Sequence, residues 1–588
     1  MIHPKIPLAQ TVVQLCKLKN IKHIVISPGS RNAPLTIGFT NDDFFTCYSI
    51  VDERSAAFFA LGIAQQIHKP VVLICTSGSA LLNYYPAVAE AFYSDIPLIV
   101  LSADRPKHLI GIGDGQTINQ KNVFENHILY SADLKLDLKD ENRLSEKEDL
   151  PIFKSLENRL ERILGLQQGI QNDNEQDINE AFDLARLKKG PVHINIPFDE
   201  PLYETVEVLS VRPKVKTLDL KSPKIDDVEI KDCVDEWYAA NRKIILVGVL
   251  PPNQIEQKWL NELANDDSVL VFTETTSNLH HPDFFPNIDK MIGDLTEADF
   301  KALRPDILLT FGGMVVSKKI KKFLRDYQPK HHWHVDMKSA NDTFFCLDKH
   351  IVAAPNAFFS EFLPKITHTA KSNYLPYWLE IKKQRHKRHL DYIKQIPFSD
   401  FKVFAAILKS IPFKSILQLG NSSTVRYAQL FNLNKSLEVF CNRGTSGIDG
   451  STSTAVGCAA ATPTKQTTFI TGDLSFFYDS NALWNNYIPK NFRIILVNNS
   501  GGGIFRILPG HKNTPNFDYF FETTHNLTAK HLCEMFKFEY HQARDQEQLN
   551  ASLKTFYNKS KTPKLLEIFT PRTENDDILL DYFEFLNS

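Results

Sequence analysis

Short apolar runs alternate along the whole chain with longer stretches of helical periodicity. The apolar runs are rich in β-branched residues and end in polar or glycine-containing turns, which is typical of buried strands in parallel sheets. This alternation predicts an α/β fold built from doubly wound parallel sheets. The predicted strands lie within residues 23–31, 70–80, 96–106, 190–201, 242–252, 268–277, 305–315, 331–336, 415–423, 437–447, 467–477, 492–503 and 563–571.

The predicted strands form three sets, which indicates three domains. The first set ends at Pro201, and the proline- and charge-rich residues 205–230 are interpreted as a linker. Residues 377–396 have a long helical period and connect the second set to the third. The charged residues 138–162 are interpreted as a solvated helical excursion within the first domain. The predicted domains, of a size usual for globular units, are 1–201, 202–365 (linker and central domain) and 366–588 (connector and third domain).

Composition limits the classes of function. The chain has 588 residues, of which 43% are hydrophobic and 23% charged, with a net charge of −2, so no general attraction to nucleic acid or anionic membranes is expected. No apolar run approaches the roughly 20 residues that span a bilayer, and the first residues lack a signal-peptide pattern. The eight cysteines form no CxxC pair. We therefore expect a cytoplasmic protein without stable membrane insertion.

An unusual polar loop, residues 498–503, follows a strand that is expected to be buried. Its two asparagines pack poorly and its three glycines lose backbone entropy when they are ordered, which indicates a bound ligand. Asp473 ends another predicted strand, 26 residues before Asn499. That interval fits a strand, a crossover helix at 480–491 and a second strand. The two loops are therefore expected to lie side by side at the carboxyl ends of neighbouring strands, where open α/β sheets bind ligands.

The two loops offer hard oxygen ligands. A carboxylate from Asp473, the amide oxygen of Asn499 and a backbone carbonyl of the glycine loop suit Mg²⁺, which commonly shares its coordination with phosphates. Glycines also let backbone groups approach a diphosphate closely. Two loops that only cap a helix and close a turn are the alternative. The pairing of Asp473 with Asn499 at this spacing favours the metal site.

Gly-Asp followed by Asn-Asn at this distance resembles the diphosphate-binding motif of thiamine-diphosphate-dependent enzymes. The resemblance implies that Asp473, Asn499 and the backbone oxygen of Gly501 hold Mg²⁺ or Mn²⁺. The usual third residue of the motif is glycine, whereas this chain has Leu474, which argues against the common decarboxylases. The further contacts with thiamine diphosphate that the resemblance implies are Glu53, Ser77, Gly78, Ile448, Gly472, Asp473, Leu474, Ser475, Asn499 and Gly501.

Glu53 lies between an apolar strand end and a helix rich in alanine and phenylalanine. A glutamate in such surroundings can share a proton with a ring nitrogen. The resemblance implies that Glu53 is catalytic, because the matching glutamate of the family protonates the aminopyrimidine of the cofactor. The alternative is a first-turn glutamate that the helix dipole stabilises. The metal motif downstream favours catalysis.

Several loops resemble one family within these enzymes, the 2-succinyl-5-enolpyruvyl-6-hydroxy-3-cyclohexene-1-carboxylate synthases of menaquinone biosynthesis. The resemblance extends from about Ser27 to Pro509 and is weaker near 138–162 and in the central domain. That family's metal motif reads Gly-Asp-Leu-Ser, as at 472–475 here. The other similar loops are SPGSR (27–31), TSGSA (76–80), ADRP (103–106), GDGQTINQ (113–120), GNSSTVR (420–426), NRGTSGIDG (442–450) and IFRILPG (504–510).

The resemblance implies a transferase that decarboxylates 2-oxoglutarate and adds the resulting succinyl carbanion to isochorismate in a 1,4-addition. It also implies a homodimer or a dimer of dimers. Both substrates carry two carboxylates, which guanidinium groups bind well. The implied substrate contacts are Ser30, Arg31, Arg105, Gln116, Lys318, Ser422, Arg426 and Arg443, with an apolar wall of Ile504, Phe505 and Leu508 around the acceptor ring.

Two alternatives stay open. Another thiamine-diphosphate enzyme, such as an acetohydroxyacid synthase or a 2-oxoacid decarboxylase, is disfavoured by the four arginines and by Leu474. A non-catalytic α/β binding protein is disfavoured because Glu53, Asp473 and Asn499 are all present.

The remaining motifs carry less weight. The histidine-rich residues 331–334 are not expected to bind a metal, because strand alternation puts His332 and His334 on one face and His331 on the other. Residues 111–115 resemble a dinucleotide fingerprint but do not open a helix after a strand. Residues 318–322 are interpreted as a solvated helix face, apart from Lys318.

Overall fold

The computed structural model of the chain describes residues 2–138, 154–219, 224–369, 371–507, 510, 512 and 514–587, with only the backbone of 154–165. These residues form two compact units. The first unit comprises residues 1–220 together with 453–462 and 481–487, and the second comprises 221–452, 463–480 and 488–588. None of the helices in the described part of the chain is both long and apolar enough to span a bilayer.

The first unit is built on a parallel sheet. Its strands are β1 (His3–Pro4), β2 (His23–Ile26), β3 (Thr46–Ser49), β4 (Val71–Cys75), β5 (Leu98–Asp104), β6 (Tyr130–Asp133), β7 (Val192–Pro197) and β8 (Thr205–Val206). Its helices are α1 (Pro7–Leu18), α2 (Ala33–Thr40), α3 (Glu53–Ile67), α4 (Ser79–Asn83), α5 (Tyr85–Tyr93) and α6 (Lys154–Lys188). Six strands pair in the order β3-β2-β4-β5-β7-β6, while β1 and β8 form a separate antiparallel pair. The central strands β4 and β5 are buried along their whole length.

The second unit contains two further parallel sheets. The first of them has the order β10-β9-β11-β12-β13 and consists of β9 (Lys243–Val247), β10 (Val269–Phe272), β11 (Ile307–Phe311), β12 (His331–Val335) and β13 (Lys349–Ile351). Its helices are α7 (Asp227–Ala239), α8 (Gln257–Ala264), α9 (Ile288–Ile292), α10 (Glu297–Leu303), α11 (Lys318–Asp326) and α12 (Pro355–Phe362).

Helix α13 (Tyr374–Gln395) leads to the last sheet. Its strands are β14 (Ile416–Leu419), β15 (Glu438–Cys441), β16 (Thr467–Gly472), β17 (Phe492–Asn498), β18 (Glu539–Ala543) and β19 (Lys564–Phe569), in the order β15-β14-β16-β17-β19-β18. The helices in this part of the chain are α14 (Asp400–Ser410), α15 (Ser423–Ala428), α16 (Ser451–Ala461), α17 (Asp473–Tyr478), α18 (Ile504–Ile507), α19 (Lys530–Phe536), α20 (Gln546–Phe556) and α21 (Asn575–Asn587).

The predicted parallel α/β architecture and all thirteen predicted strands are confirmed. Among the described residues, the pattern did not reveal the two-residue strands β1 and β8, or β3, β6, β13 and β18, each of which lies at the edge of its sheet. An edge strand is covered less completely than a central one, so its residues need not be apolar. The sequence of β18, EYHQA, has a single fully buried residue.

Three segments differ from their predicted structure or lie partly outside the described residues. The crossover helix predicted at 480–491 is wrong, because the helix is α17 and only a short 3₁₀ turn follows at 480–483. Asn485, Asn486 and Pro489 do not favour a longer helix. The predicted linker is irregular over 207–219, but β8 and the start of α7 lie within 205–230. Of the excursion at 138–162, residues 139–153 lie outside the described residues, and 154–162 are helical.

The order of the strands positions the loops of interest. In the first unit the chain passes from β2 outward to β3 and then returns to β4 on the other side of β2. The last sheet repeats this reversal at β14, β15 and β16. Ligands of open α/β sheets bind at the carboxyl ends of strands beside such a reversal. The loops that begin at residues 27, 76, 420 and 473 follow these strands.

Candidate active site

Asp473 joins the two polar loops of the second unit. It is the first residue of α17, directly after β16, and its side chain is buried. Its Oδ1 accepts the Leu474 N–H at 2.7 Å, and its Oδ2 accepts the Gly501 N–H at 3.0 Å. The loops after β16 and β17 therefore meet, as the spacing predicted.

The backbone at Gly501 explains why this loop requires glycine. Its φ is 152°, and a Cβ there would lie 2.7 Å from the carbonyl oxygen of Glu522. The neighbouring Gly502 N–H donates to that same carbonyl at 2.6 Å, and the His525 N–H donates to the Ser500 carbonyl at 3.2 Å. Residues 522–525 thus contact the 498–503 loop so closely that there is no space for a side chain at Gly501.

Asn499 contacts a buried acid that the sequence motifs did not indicate. Its Nδ2 donates to Oδ2 of Asp400 at 2.9 Å. Burial raises the pKa of Asp400 to about 6, with hydrogen bonds from Thr570 and Asn499 opposing the shift and the charge of Asp473 adding to it. Asp400 therefore lies close to both side chains of the predicted metal site.

The residues present fit a divalent cation. Among the described residues, no lysine or arginine forms an ion pair with Asp400 or Asp473, and His525 is the one basic side chain at ion-pair distance, 3.3 Å from Asp473. Two buried carboxylates without a permanent cation leave negative charge uncompensated. The Asp473 carboxylate, the Asn499 amide oxygen and the Gly501 carbonyl are the ligand types that Mg²⁺ and Mn²⁺ prefer.

The predicted cofactor contacts around this loop are linked by a hydrogen bond. Ser475, in the first turn of α17, donates its hydroxyl to the carbonyl of Ile448 at 2.8 Å. The Ile448 side chain is 37% exposed and so is available for contact. Gly472 is the last residue of β16, and Leu474 is half-buried next to Asp473.

Two guanidinium groups lie together in the second unit. Arg443 is buried and donates to Oδ1 of Asn421 at 2.7 Å, while Arg426 donates to the Ser422 carbonyl at 2.6 Å. The pKa of Arg426 is lowered first by burial and next by the positive charge of Arg443. The charges of Asp289 and Glu274 partly oppose this lowering of the pKa, and a bound anion would stabilise the two neighbouring cations further. Ser422, at a φ of 64°, completes this turn.

Asn421 is a residue that the sequence analysis missed. Its Nδ2 donates to the carbonyls of Asn442 and Gly447, both at 2.7 Å, while its Oδ1 receives Arg443. One buried amide therefore holds both ends of the 442–447 loop. The sequence did indicate this residue, because Asn421 directly precedes Ser422 in the GNSSTVR motif at 420–426.

Lys318 is exposed at the start of α11. The turn before it is fixed by Glu274, whose carboxylate accepts the N–H groups of Val316 and Ser317, each at 2.8 Å. Burial raises the pKa of Glu274 to about 7. Lys321 is half-buried rather than solvated, and its pKa is lowered first by burial. The interpretation of 318–322 as a solvated face is therefore wrong at Lys321.

The predicted apolar wall begins directly after the glycine loop. Ile504 and Phe505 open α18, with Ile504 half-buried and Phe505 38% exposed. Leu508, the third residue of this wall, lies outside the described residues. Arg506 points into the protein and binds Glu522 through two hydrogen bonds of 2.5 and 2.6 Å.

In the first unit, Arg105 forms hydrogen bonds with two of the predicted residues. Its Nη1 donates to the Ser77 hydroxyl at 2.8 Å and to the Gln116 carbonyl at 3.0 Å. Gly78 has a φ of 86°, and a Cβ there would lie 2.9 Å from the Gln116 carbonyl oxygen. The buried Gln120, which the sequence analysis missed, accepts the Gly78 N–H at 2.9 Å. Together these contacts fix the loop after β4.

Ser30 and Arg31 follow β2. Ser30 is exposed, and Arg31 donates to the Phe198 carbonyl at 3.1 Å and lies 3.3 Å from the Glu200 carboxylate. None of the described hydrogen bonds joins this pair to Arg105. A substrate contact through Ser30 and Arg31 stays a prediction.

Glu53 is the first residue of α3, whose N-cap is Asp52. The Asp52 carboxylate accepts the Ser55 N–H at 3.1 Å and the side-chain amide of Asn481 at 2.7 Å. Burial and then the charge of Glu53 raise the pKa of the Cys75 thiol. The Glu53 carboxylate therefore lies near Cys75, the last residue of β4. This position agrees with both the catalytic and the first-turn interpretations.

The histidine-rich strand β12 follows the predicted alternation. His332 and His334 both contact the hydroxyl of Thr310, at 2.9 and 2.8 Å. His331 faces the other way, where its ligand atom lies within 4.8 Å of those of Glu236 and Asp348. The Glu236 carboxylate already binds Lys349 at 2.6 Å, so this cluster is explained by ion pairs.

Comparisons with protein families agree along most of the chain. Residues 6–128 match the thiamine pyrophosphate enzyme N-terminal TPP binding domain, residues 217–419 match the middle domain of thiamine pyrophosphate enzymes, and residues 420–568 match the C-terminal TPP binding domain.

Similar curated proteins cover the full chain. A protein of Flavobacterium psychrophilum is 56% identical and one of Christiangramia forsetii is 57% identical, each over 100% of both chains. A more distant protein of Porphyromonas gingivalis is 34% identical over 98% of this chain and 96% of its own. All three are named 2-succinyl-5-enolpyruvyl-6-hydroxy-3-cyclohexene-1-carboxylate synthase.

Proposed function

The chain belongs to the thiamine-diphosphate-dependent family of 2-succinyl-5-enolpyruvyl-6-hydroxy-3-cyclohexene-1-carboxylate synthases, and we propose that it carries out this family's reaction. In that reaction 2-oxoglutarate loses carbon dioxide, and the remaining succinyl unit is added to isochorismate in menaquinone biosynthesis. The structural observation that carries the proposal is the hydrogen bond between Asp473 and Gly501, which joins the two halves of the diphosphate motif.

Asp473, the Asn499 amide oxygen and the Gly501 carbonyl hold Mg²⁺ or Mn²⁺ in this proposal. The cation compensates two buried carboxylates and the charge of a diphosphate, which favours binding of both together. When bound, thiamine diphosphate would supply a nucleophile that attacks the 2-oxo acid, and it would also accept the electron pair that remains when carbon dioxide is lost. Ser475 holds the backbone of Ile448 through its hydrogen bond to the Ile448 carbonyl, and the Ile448 side chain would contact the bound cofactor.

The protein's own side chains transfer a proton, bind the substrate carboxylates and exclude water. Glu53 exchanges a proton with the pyrimidine ring of the cofactor. Arg426 and Arg443 bind substrate carboxylates, because an anion relieves the repulsion between their two cations. The remaining groups of the proposed site are Ser30, Arg31, Arg105, Gln116, Lys318 and Ser422 as polar contacts, Ser77, Gly78, Gly472 and Leu474 around the cofactor, and Ile504, Phe505 and Leu508 as the wall that excludes water.

Product analysis tests the proposed reaction. The purified protein is incubated with thiamine diphosphate, Mg²⁺ and 2-oxoglutarate, with and without isochorismate, and the products are identified by mass. We expect one product with the combined mass of both substrates less one carbon dioxide. Carbon dioxide release without incorporation of isochorismate would indicate a decarboxylase instead, and no cofactor-dependent turnover would indicate a binding protein.

We also propose the domain division at 1–201, 202–365 and 366–588, which gives each parallel sheet its own domain, and a cytoplasmic location. The minimum assembly is a homodimer in which Glu53 of one chain serves the metal site of the other. Glu53 and Asp473 are 420 residues apart in the sequence and lie in the first and third proposed domains, so each could belong to a site completed by the other chain.

Mixing two inactive variants tests the shared site. Glu53→Gln and Asp473→Ala proteins should regain activity after subunit exchange, because a mixed dimer contains one intact site and one site with both lesions. Random mixing makes half of the dimers mixed, so about a quarter of wild-type activity is the expected maximum for independent sites. Exchange verified by mass-tagged chains without any recovery would contradict the shared site.

A further inference from the structure

Asp400 is a buried acid for which the proposed reaction has no direct use. It is the first residue of α14 and lies 99 residues before Asn499 in the sequence. The carboxylate is 3% exposed, and Oδ2 accepts the Asn499 amide at 2.9 Å. We propose that Asp400 is a positioning residue for the metal loop, which orients the Asn499 amide so that its oxygen faces the cation. This inference rests on the proposed metal site.

The position of the Asp400 carboxylate is fixed from several sides. Its Oδ1 accepts the Thr570 hydroxyl at 2.6 Å, and its backbone N–H donates to the side-chain oxygen of Asn575 at 2.8 Å. Thr570 is in turn tied to the strand that precedes the loop, because its N–H donates to the Asn498 carbonyl at 3.1 Å. Asp400 is therefore held in the same frame as Asn499.

The chemistry of the two side chains determines the orientation. An ionised carboxylate only accepts hydrogen bonds, so Asn499 must present its NH₂ group to Asp400. The amide oxygen then points away from Asp400. A cation is repelled by an NH₂ group and attracted by a carbonyl oxygen. If the Asn499 side-chain amide were flipped, its NH₂ group would face the cation and Asn499 could not be a metal ligand. Groups that support a metal ligand in this way commonly contribute 10–100-fold to metal affinity.

Binding of Mn²⁺ tests this role without relying on turnover. The free ion is measured by electron paramagnetic resonance in titrations of protein with thiamine diphosphate present, and thermal unfolding is measured in parallel. Asp400→Ala should weaken Mn²⁺ binding by about 10–100-fold. Asp400→Asn should retain most of the affinity, because its oxygen can accept from Asn499 while Thr570 accepts its NH₂ group.

Thr570→Val is the matched control. It removes the other side-chain hydrogen bond of Asp400 but leaves the contact with Asn499. We expect a reduced unfolding temperature with Mn²⁺ affinity within about threefold of wild type, below the range for loss of a supporting group. Equal loss of affinity in Thr570→Val and Asp400→Ala, or an unchanged affinity in Asp400→Ala, would overturn the proposal and leave Asp400 a purely structural residue.

Asp400→Leu decides between the two roles if Asp400→Ala does not fold, because leucine fills the space of the aspartate but cannot accept a hydrogen bond from Asn499. Asp400→Leu should bind Mn²⁺ about 10–100-fold more weakly than Asp400→Asn, which keeps an acceptor oxygen. Equal Mn²⁺ affinity of these two variants would overturn the proposal. Wild-type protein that binds no Mn²⁺ with thiamine diphosphate would instead refute the metal site itself.

Discussion

Replacing Asp473 with alanine is expected to abolish metal-dependent binding of thiamine diphosphate. Asp473 is the only charged ligand in the proposed set, and its loss weakens the binding of the cation that compensates the diphosphate charge. Residues that merely support a ligand contribute 10–100-fold to metal affinity, so we expect a loss of more than about 100-fold for the ligand itself. Isothermal titration calorimetry with thiamine diphosphate and Mg²⁺ measures this affinity.

Asp545→Ala provides the matched control for Asp473→Ala. Asp545 also lies in the second unit and is the N-cap of α20, where its carboxylate accepts the Gln548 N–H. Its removal should reduce stability by about 1 kcal/mol, as is usual for an N-cap, without affecting cofactor affinity. Cofactor binding by Asp473→Ala at the wild-type affinity would show that the metal ligand has been assigned wrongly.

Replacing Glu53 with glutamine is expected to slow turnover by about 10²–10⁴-fold, the range for loss of an acid–base group. Glutamine has the same shape but cannot exchange a proton with the pyrimidine ring. Cofactor affinity should change little, since the metal site is intact. Steady-state kinetics and calorimetry on the same preparation separate the two effects.

Glu53→Asp distinguishes catalysis from stabilisation of α3. Aspartate retains the first-turn charge, which is worth about 0.3–1 kcal/mol at a helix start, but withdraws the carboxylate by one methylene. If Glu53 is catalytic, Glu53→Asp should keep the wild-type unfolding temperature and still turn over slowly. Wild-type turnover in both variants would mean that Glu53 only stabilises the helix.

The sequence was sufficient to predict the parallel sheets because their central strands are buried on both faces and are therefore continuously apolar. It was also sufficient to bring Asp473 and the 498–503 loop together, since parallel strands that are neighbours end at the same edge. The edge strand β18 is largely polar, and so its sequence resembles that of a loop.

Contacts between distant segments account for most of what the sequence could not reveal. Asp400 reaches Asn499 across 99 residues and Gln120 reaches Gly78 across 42, and neither belongs to a local pattern that carries chemical meaning. Asn421 could have been predicted as a site residue, because it lies inside the strand-end motif at 420–426. Lys321 is half-buried because other segments pack against α11. The sequence of the helix itself does not show which segments those are.

Anomalous diffraction from crystals grown with Mn²⁺ and thiamine diphosphate is the most direct test of the central claim, that the loops after β16 and β17 hold a divalent cation with the cofactor diphosphate. We expect one strong manganese peak bound by Asp473, Asn499 and the Gly501 carbonyl at the short distances of metal–oxygen bonds, roughly 2.0–2.3 Å, with diphosphate oxygens completing the shell. A manganese peak elsewhere, with cofactor bound and this loop empty, would contradict it.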